Sequence, residues 1–155
     1  MTYVEHRSRA VAAPAAVLWE VLAGFGGESG WGGFDLLWNA RAQADRVIGG
    51  PGLRGRPDGE PRPGDPIHFW RVEDVVPGER ITLRAEMRQL PGTARLTLGA
   101  TPLAAHRSLL TQELTFAPRG LVGHAFWWVE WAPHVVVFRS MLGGLARQAE
   151  RRYRG

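Results

Sequence analysis

Two titratable side chains, Glu130 and His134, lie in the most aromatic stretch of the chain. Glu130 stands between Trp128 and Trp131, and loss of water there would raise its pKa into a range that suits acid–base catalysis, unless an arginine pairs with it. His134 follows Pro133, where a helix bend would free a carbonyl beside a polar ring that could meet a ligand. The alternative for His134 is a partly buried ring bonded to nearby backbone.

Most other chemistries lack the residues they require. The chain has no cysteine, which excludes disulfides, thiolate nucleophiles and Cys-ligated metals, and its 19 basic residues are all arginine, which excludes Schiff-base chemistry. No two of the five histidines have the i, i+4 spacing of a helical zinc site, and no serine lies in a Gly-x-Ser-x-Gly turn. We therefore expect no metal and no cofactor.

The positions of these residues depend on a predicted order of strands and helices. Alternating or apolar runs predict strands at Thr2–Val11, Ile67–Val76, Arg80–Arg88, Thr93–Leu98 and Arg107–Phe116. Helical spacing predicts a helix from Pro14 to Gly24, a second short helix ending at Gly49, and a long helix over Leu121–Arg152. The Gly49–Pro66 segment is rich in glycine and proline, so we expect a long loop that could act as a lid.

The strands are joined by short connections, which predicts an antiparallel meander covered by the long C-terminal helix. Alternation places Leu83, Ala85, Leu96 and Leu98 on the face toward that helix, with Arg84 and Glu86 on the other face. For Glu86 the default is an exposed ion pair with a neighbouring arginine. Because proline cannot donate its backbone hydrogen bond, Pro133 should bend the helix by more than ~20°, or split it.

Six stretches resemble an uncharacterised domain of the START and polyketide-cyclase-like (SRPBCC) superfamily. They are GGESGW, LLWNARAQADRVIGGPGLRGRPD, GDPIHFWRVEDV, LRAEM, LPGTARL and FAPRGLVGHAFWWVEWAPHVVVF. The resemblance implies an α+β helix-grip fold, a curved antiparallel sheet wrapped on a long C-terminal helix, with no settled activity. In that family an acidic residue often stands where this chain has His68, and an aromatic one where it has Arg95.

The same kind of domain also occurs fused behind an NAD(P)-binding epimerase-like domain. The resemblance therefore names a separate NAD(P)-binding domain as a candidate partner. This chain should not bind NAD(P) itself, because Ser29 stands where a dinucleotide fingerprint starting at Gly24 needs its third glycine.

A gap between sheet and bent helix predicts an apolar cavity of ~300 to 1,000 Å³. The seven tryptophans are either core or lining; the predicted ligand-binding residues are Trp38, His68, Trp70, Met87, Trp127, Trp131 and His134, with Gly49–Pro66 near the mouth. We expect a small apolar or aromatic ligand. The alternative is a polyketide cyclase or aromatase-like enzyme that uses Glu130 or His134 as its acid–base group.

Other partners and locations follow from charge and hydropathy. The arginines alternate with 15 acidic residues, so no basic stripe for nucleic acid is expected despite a net charge of +4. No apolar run reaches the ~20 residues of a membrane span, and residues 1–9 lack the pattern of a secretory signal. We expect a single helix-grip domain over residues 1–155, located in the cytoplasm, while the sequence leaves the oligomeric state open.

Overall fold

The computed structural model describes residues 1–27, 30–33 and 35–155. The elements follow the predicted order of one strand, two helices, a run of strands and a long helix, and the position of Ser29 lies outside the described residues. Their bounds are β1 Tyr3–Val11, α1 Ala15–Ala23, α2 Asp35–Val47, β2 Pro66–Ile67, β3 Trp70–Val76, β4 Arg80–Ala85, β5 Gly92–Ala104, β6 Arg107–Pro118 and α3 Gly120–Arg154.

The six strands form one antiparallel sheet in the order β1-β6-β5-β4-β3-β2. β1 crosses to the far edge and pairs with β6, while the other strands are neighbours in sequence, as short connections require. α3 lies against β1 and β6 and also contacts α1. This is the α+β helix-grip architecture, in which one long helix covers the apolar face of a curved sheet.

The two faces of the central strands divide as their alternation predicts. Leu83, Leu96 and Leu98 are fully buried on the inner face, and β4 pairs with β5 through Leu83 and Leu96. On the outer face the hydroxyls of Thr82 and Thr97 lie 3.1 Å apart in a hydrogen bond across the two strands. The predicted face assignment is therefore confirmed.

The predicted strand Ile67–Val76 is interrupted, which corrects the sequence interpretation. β2 pairs directly with β3 across a two-residue turn at His68 and Phe69, and His68 has a φ of 54°. This left-handed conformation is unusual for a residue with a side chain. The His68 ring offsets it, since Gly55 N donates to Nδ1 at 3.2 Å and Nε2 lies 2.7 Å from the Gly26 carbonyl. Nδ1 therefore accepts and Nε2 donates.

The ends of two strands differ from the predicted ones, one strand being shorter and the other longer. β4 ends at Ala85, before the predicted Arg88, and β5 extends from Gly92 to Ala104, well beyond the predicted Leu98. The partner strand explains the extension, because β6 pairs with β5 over nearly its whole length. Hydrogen bonding between strands thus extends a strand beyond its alternating pattern.

α3 is one continuous helix that includes Pro133, so the proline does not split it. The bend of more than ~20° at this proline stays a prediction. None of the helices formed by residues 1–27, 30–33 and 35–155 is both long and apolar enough to cross a membrane.

Arginine side chains attach the Gly49–Pro66 segment to the rest of the fold. Arg54 Nη2 donates to the Trp70 carbonyl at 2.9 Å and to Glu86 Oε1 at 2.7 Å, and Arg71 Nε also donates to Glu86 Oε1 at 3.1 Å. Burial raises the pKa of Glu86, but Arg54 and Arg71 outweigh it, so the pKa lies below its ordinary value. The predicted ion pair of Glu86 is confirmed, but it is half-buried and not exposed as expected, since only about a quarter of the Glu86 side chain is exposed.

Candidate functional site

A cavity of about 220 Å³ lies between the inner face of the sheet, α2 and α3. Its size is below the predicted ~300 to 1,000 Å³. The walls are mainly apolar and come from all three layers. The lining residues are Leu37, Trp38, Arg41, Trp70, Ala85, Met87, Leu90, Ala94, Leu114, Glu130, Pro133, His134, Val137 and Phe138.

Four of the seven predicted ligand-binding residues line this pocket. Trp38 reaches it from α2, Trp70 from β3, and His134 from α3, while Met87 lies just beyond β4. Glu130, the other acid–base candidate, also lines it. The structure thus brings together residues separated by almost 100 positions in the chain.

The other three predicted residues lie elsewhere. His68 occupies the turn between β2 and β3, where its ring bonds to backbone. Trp127 is buried in a stack, with ring centroids 4.8 Å from Tyr3 and 5.8 Å from Phe116. Trp131 is 46% exposed. A side chain on α3 reaches the pocket only where it points toward the inner face of β4 and β5. The side chains of Trp127 and Trp131 do not point there.

The Gly49–Pro66 segment is not at the pocket, which corrects the predicted position of the mouth. No residue of the segment is among the pocket lining in the part of the chain that the structure describes. The segment instead turns toward α1, where Arg56 Nη1 donates to the Phe25 carbonyl at 2.8 Å. Leu37 and Arg41 of α2, together with Leu90, line the pocket where the loop was expected.

Sequence reasoning missed part of the lining because small residues carry little signal. Ala85 and Ala94 lie on the predicted inner face of β4 and β5, and their small side chains leave the space that the cavity occupies. Val137 and Phe138 belong to the apolar side of α3, which sequence identifies without showing that a void lies beneath it. The sequence signal for Ala85 and Ala94 was the alternation along β4 and β5, combined with the small size of the alanine side chain.

Aromatic rings form one wall of the pocket. The Trp38 ring lies 5.7 Å from the centroids of both Phe69 and Phe138 and 6.5 Å from Trp70. Trp31 stacks on the same group at 5.8 Å from Trp38. Aromatic rings at these distances attract one another, so the ring contacts stabilise this wall in the ligand-free chain.

Three ring nitrogens of pocket-lining residues are buried without a hydrogen-bond partner among the described residues. They are Nε1 of Trp38, Nε1 of Trp70 and Nδ1 of His134. An indole nitrogen can only donate, so each of the two tryptophans holds an unused N–H. A buried polar group left unpaired costs about 1 to 3 kcal/mol, which a suitable partner would recover.

Glu130 forms an ion pair with an arginine at the pocket. Of the two alternatives that the sequence left open for Glu130, pairing with an arginine is the one observed. Arg41 Nη1 lies 3.1 Å from Glu130 Oε2, and about a quarter of each side chain is exposed. The Arg41 guanidinium also lies 5.9 Å from the centroid of the Phe126 ring. The pair places one cation and one anion beside an otherwise apolar space.

Burial holds the pKa of His134 below its ordinary value, and the positive charges of Arg41 and Arg7 lower it further. Glu130 and Glu5 raise it but do not compensate. The His134 ring is therefore neutral at neutral pH. Its buried Nδ1 has no partner among the described residues and can accept or donate, according to the tautomer of the ring.

The lowered pKa of His134 makes the stability of the fold depend on pH. In the unfolded chain the ring titrates near its ordinary pKa of about 6.5, so the unfolded state binds the proton more readily. The contribution is complete above that pH and is lost as pH falls toward the folded-state pKa. We expect the free energy of unfolding to decrease below about pH 6.5, and His134→Gln to reduce this dependence, measured by urea unfolding.

His6 offers a control for that experiment, because its side chain is 69% exposed and its 3.2 Å contact with Glu113 lies at the surface, where an ion pair adds little stability. His6→Gln should keep the wild-type dependence on pH. A His134→Gln variant with the full wild-type dependence would contradict the assignment.

Comparison with known proteins places these observations in a family. Residues 1–141 match the family described as "Protein of unknown function (DUF2867)". No curated protein matches the chain significantly.

Several solved structures share the fold. The Zhui aromatase/cyclase from a Streptomyces species is 18% identical over 98% of this chain and 96% of that chain, with a TM-score of 0.57. A solution structure from Thermobifida fusca is 18% identical over 96% and 93%, with a TM-score of 0.60. A norcoclaurine synthase point mutant from Thalictrum flavum is 12% identical over 98% and 96%, with a TM-score of 0.57. At these identities the likeness shows the helix-grip fold alone.

Proposed function

Because this chain belongs to the family described as "Protein of unknown function (DUF2867)", whose description names no activity, we propose a function from the pocket itself: it binds a small, largely apolar ligand between the sheet and α3. The mainly apolar space between the sheet and the helices carries this proposal, and three of its lining residues, Trp38, Trp70 and His134, each hold a buried ring nitrogen without a partner among the described residues. Ligand pockets are typically apolar with a few polar groups of this kind.

The volume of the cavity limits the size of the ligand. A cavity of ~150 Å³ in a protein core holds benzene. About 220 Å³ therefore accommodates a one-ring or compact two-ring aromatic, and a longer chain would require α2 to move away from α3. The aromatic wall around Trp38 and Phe138 favours a flat ligand, since stacked and edge-on rings attract.

The ligand should also carry an oxygen atom. The ring nitrogens are covered by neighbouring atoms, so a small shift of the ring would let a hydroxyl or carbonyl oxygen accept from an indole N–H of Trp38 or Trp70, or let a hydroxyl pair with His134 Nδ1. Such a bond removes the cost of an unpaired buried donor. Affinity should therefore be about tenfold higher for an oxygen-bearing ring than for the same ring without oxygen.

The test is a titration of the purified chain with 2-naphthol and with naphthalene, followed by tryptophan fluorescence and confirmed for 2-naphthol by calorimetry. Ala94→Leu fills the cavity from β5 and should weaken 2-naphthol binding by more than about tenfold. Ala104→Leu, on the exposed end of the same strand, is the matched control and should bind as the wild type. Equal affinity in the Ala94→Leu variant, or no binding by the wild type, would reject the pocket.

A second function uses the same cavity: a polyketide cyclase or aromatase-like enzyme. The observation that favours it is a neutral His134 beside the Arg41–Glu130 pair, because a neutral imidazole can take a proton from a bound substrate. Turnover of a bound aromatic ketone precursor that is lost in both His134→Gln and Glu130→Gln would support the enzyme. Saturable binding without turnover supports a binding module.

We also propose three features on which ligand binding does not depend. They are a single helix-grip domain over residues 1–155, a cytoplasmic location, and a separate NAD(P)-binding domain as partner. The ligand pocket needs none of them, and each can be tested apart from ligand binding.

A further inference from the structure

One face of the first half of α3 is apolar and lies open to solvent. Helical spacing brings its members into a single stripe from residue 121 to residue 136, about 22 Å long. Large members are between 56% and 88% exposed, and two alanines lie between them. The α3 stripe consists of Leu121, Val122, Ala125, Trp128, Val129, Ala132 and Val136.

The α3 stripe carries no charge. Between Arg119 and Arg139 the sequence has no Asp, Lys or Arg and a single Glu, Glu130, which lies on the other side of α3, paired with Arg41. The exposed fractions correspond to apolar surface on the order of 700 Å², above the ~300 to 600 Å² of the largest patch on a typical monomer. Each partner in a standard protein interface contributes ~800 Å².

Apart from Val122, which would face Val135, the positions in the α3 stripe match their own reverse. When two copies of α3 lie antiparallel with the two-fold axis between positions 128 and 129, Leu121 faces Val136 of the other copy. In the same arrangement Ala125 faces Ala132, so the two helices approach closely at two symmetric points, while the large Trp128 and Val129 side chains pack about the axis. An isologous interface requires such a self-complementary surface.

We propose that the α3 stripe is the interface of a homodimer in which the two α3 helices pack antiparallel. This goes beyond the proposed ligand binding and does not depend on it. Pro133 is exposed on the same helix and also lines the pocket, so the second copy would lie beside the mouth of each pocket.

The test exploits the pairing of position 125 with position 132. Ala125→Glu or Ala132→Arg alone buries two unpaired charges in each dimer and should weaken dimerisation by at least about 100-fold. Combining both substitutions in one chain pairs opposite charges across the interface and should restore the dimer. Sedimentation velocity from low to high micromolar concentration measures the association, and circular dichroism confirms folding of each variant.

The dimer with this geometry is supported by loss in both single variants and recovery in the double variant. A wild-type chain that stays monomeric, single variants that still dimerise, or a double variant that stays monomeric would each overturn it. Binding of the monomeric wild type to phosphatidylglycerol vesicles would also overturn it, because the stripe would then face lipid.

Discussion

Replacing Gly144 with alanine should lower the free energy of unfolding by about 3 kcal/mol, measured by urea denaturation. Gly144 lies in α3 directly against the backbone of Gly32, and an added Cβ would overlap the Gly32 carbonyl. A Cβ added to Gly32 would itself lie 2.9 Å from the Met141 carbonyl oxygen and 3.0 Å from Leu145 Cγ, so the Gly32 backbone also packs tightly against α3. The clash is between two backbones, so no side-chain rotation relieves it.

The adjacent Gly143 provides the matched control. A Cβ at Gly143 would meet only the guanidinium ends of Arg147 at 3.2 Å and Arg9 at 3.3 Å, which are flexible and can move. Alanine is favoured over glycine within a helix by up to about 1 kcal/mol, so Gly143→Ala should leave stability unchanged or raise it. Equal losses at both positions would mean that helix propensity or flexibility, and not the contact with Gly32, governs this part of α3.

Trp38→Ala should lower the free energy of unfolding by about 3 to 5 kcal/mol. The Trp38 side chain is 6% exposed and is in ring contact with Trp31, Phe69, Trp70 and Phe138, so its removal leaves a void that merges with the existing pocket. The variant should also lose ligand binding. Chemical denaturation followed by circular dichroism avoids the change in tryptophan fluorescence.

Trp131→Ala is the control for the Trp38 variant, because it removes the same side chain from a position that is 46% exposed and outside the α3 stripe. Its cost should be less than about 1 kcal/mol. A similar cost at both positions would show that the ring cluster around Trp38 contributes little packing energy.

The stability predictions come from contacts between distant segments, whereas the element order follows from local patterns. Alternation of residue types along β4 and β5 identified both strands and their buried face, with Leu83 and Leu96 inside. Periodicity also identified α3, since a helix of this length repeats its apolar positions many times. In both cases the pattern reflects burial on one side, which a single segment records in its own residues.

Strand ends and turns could not be read in the same way. The turn at His68 depends on Gly26 and Gly55, which supply its hydrogen-bond partners from other parts of the chain. β5 reaches Ala104 because β6 offers a partner along its length. These features depend on neighbours in space, so local composition carries little trace of them.

Some features of the candidate site likewise follow from local sequence pattern, and others depend on contacts between distant segments. The sequence by itself indicated the fold class and the buried faces, and of the seven ligand-binding residues that it predicted, Trp38, Trp70, Met87 and His134 line the pocket. Only the tertiary structure decided that Trp127 stacks on Tyr3, that Trp131 faces outward, and that Arg41 pairs with Glu130. The physical reason is that residue type and spacing specify which side of an element is apolar, whereas a void and its polar partners arise from how side chains of different elements fill the space between them.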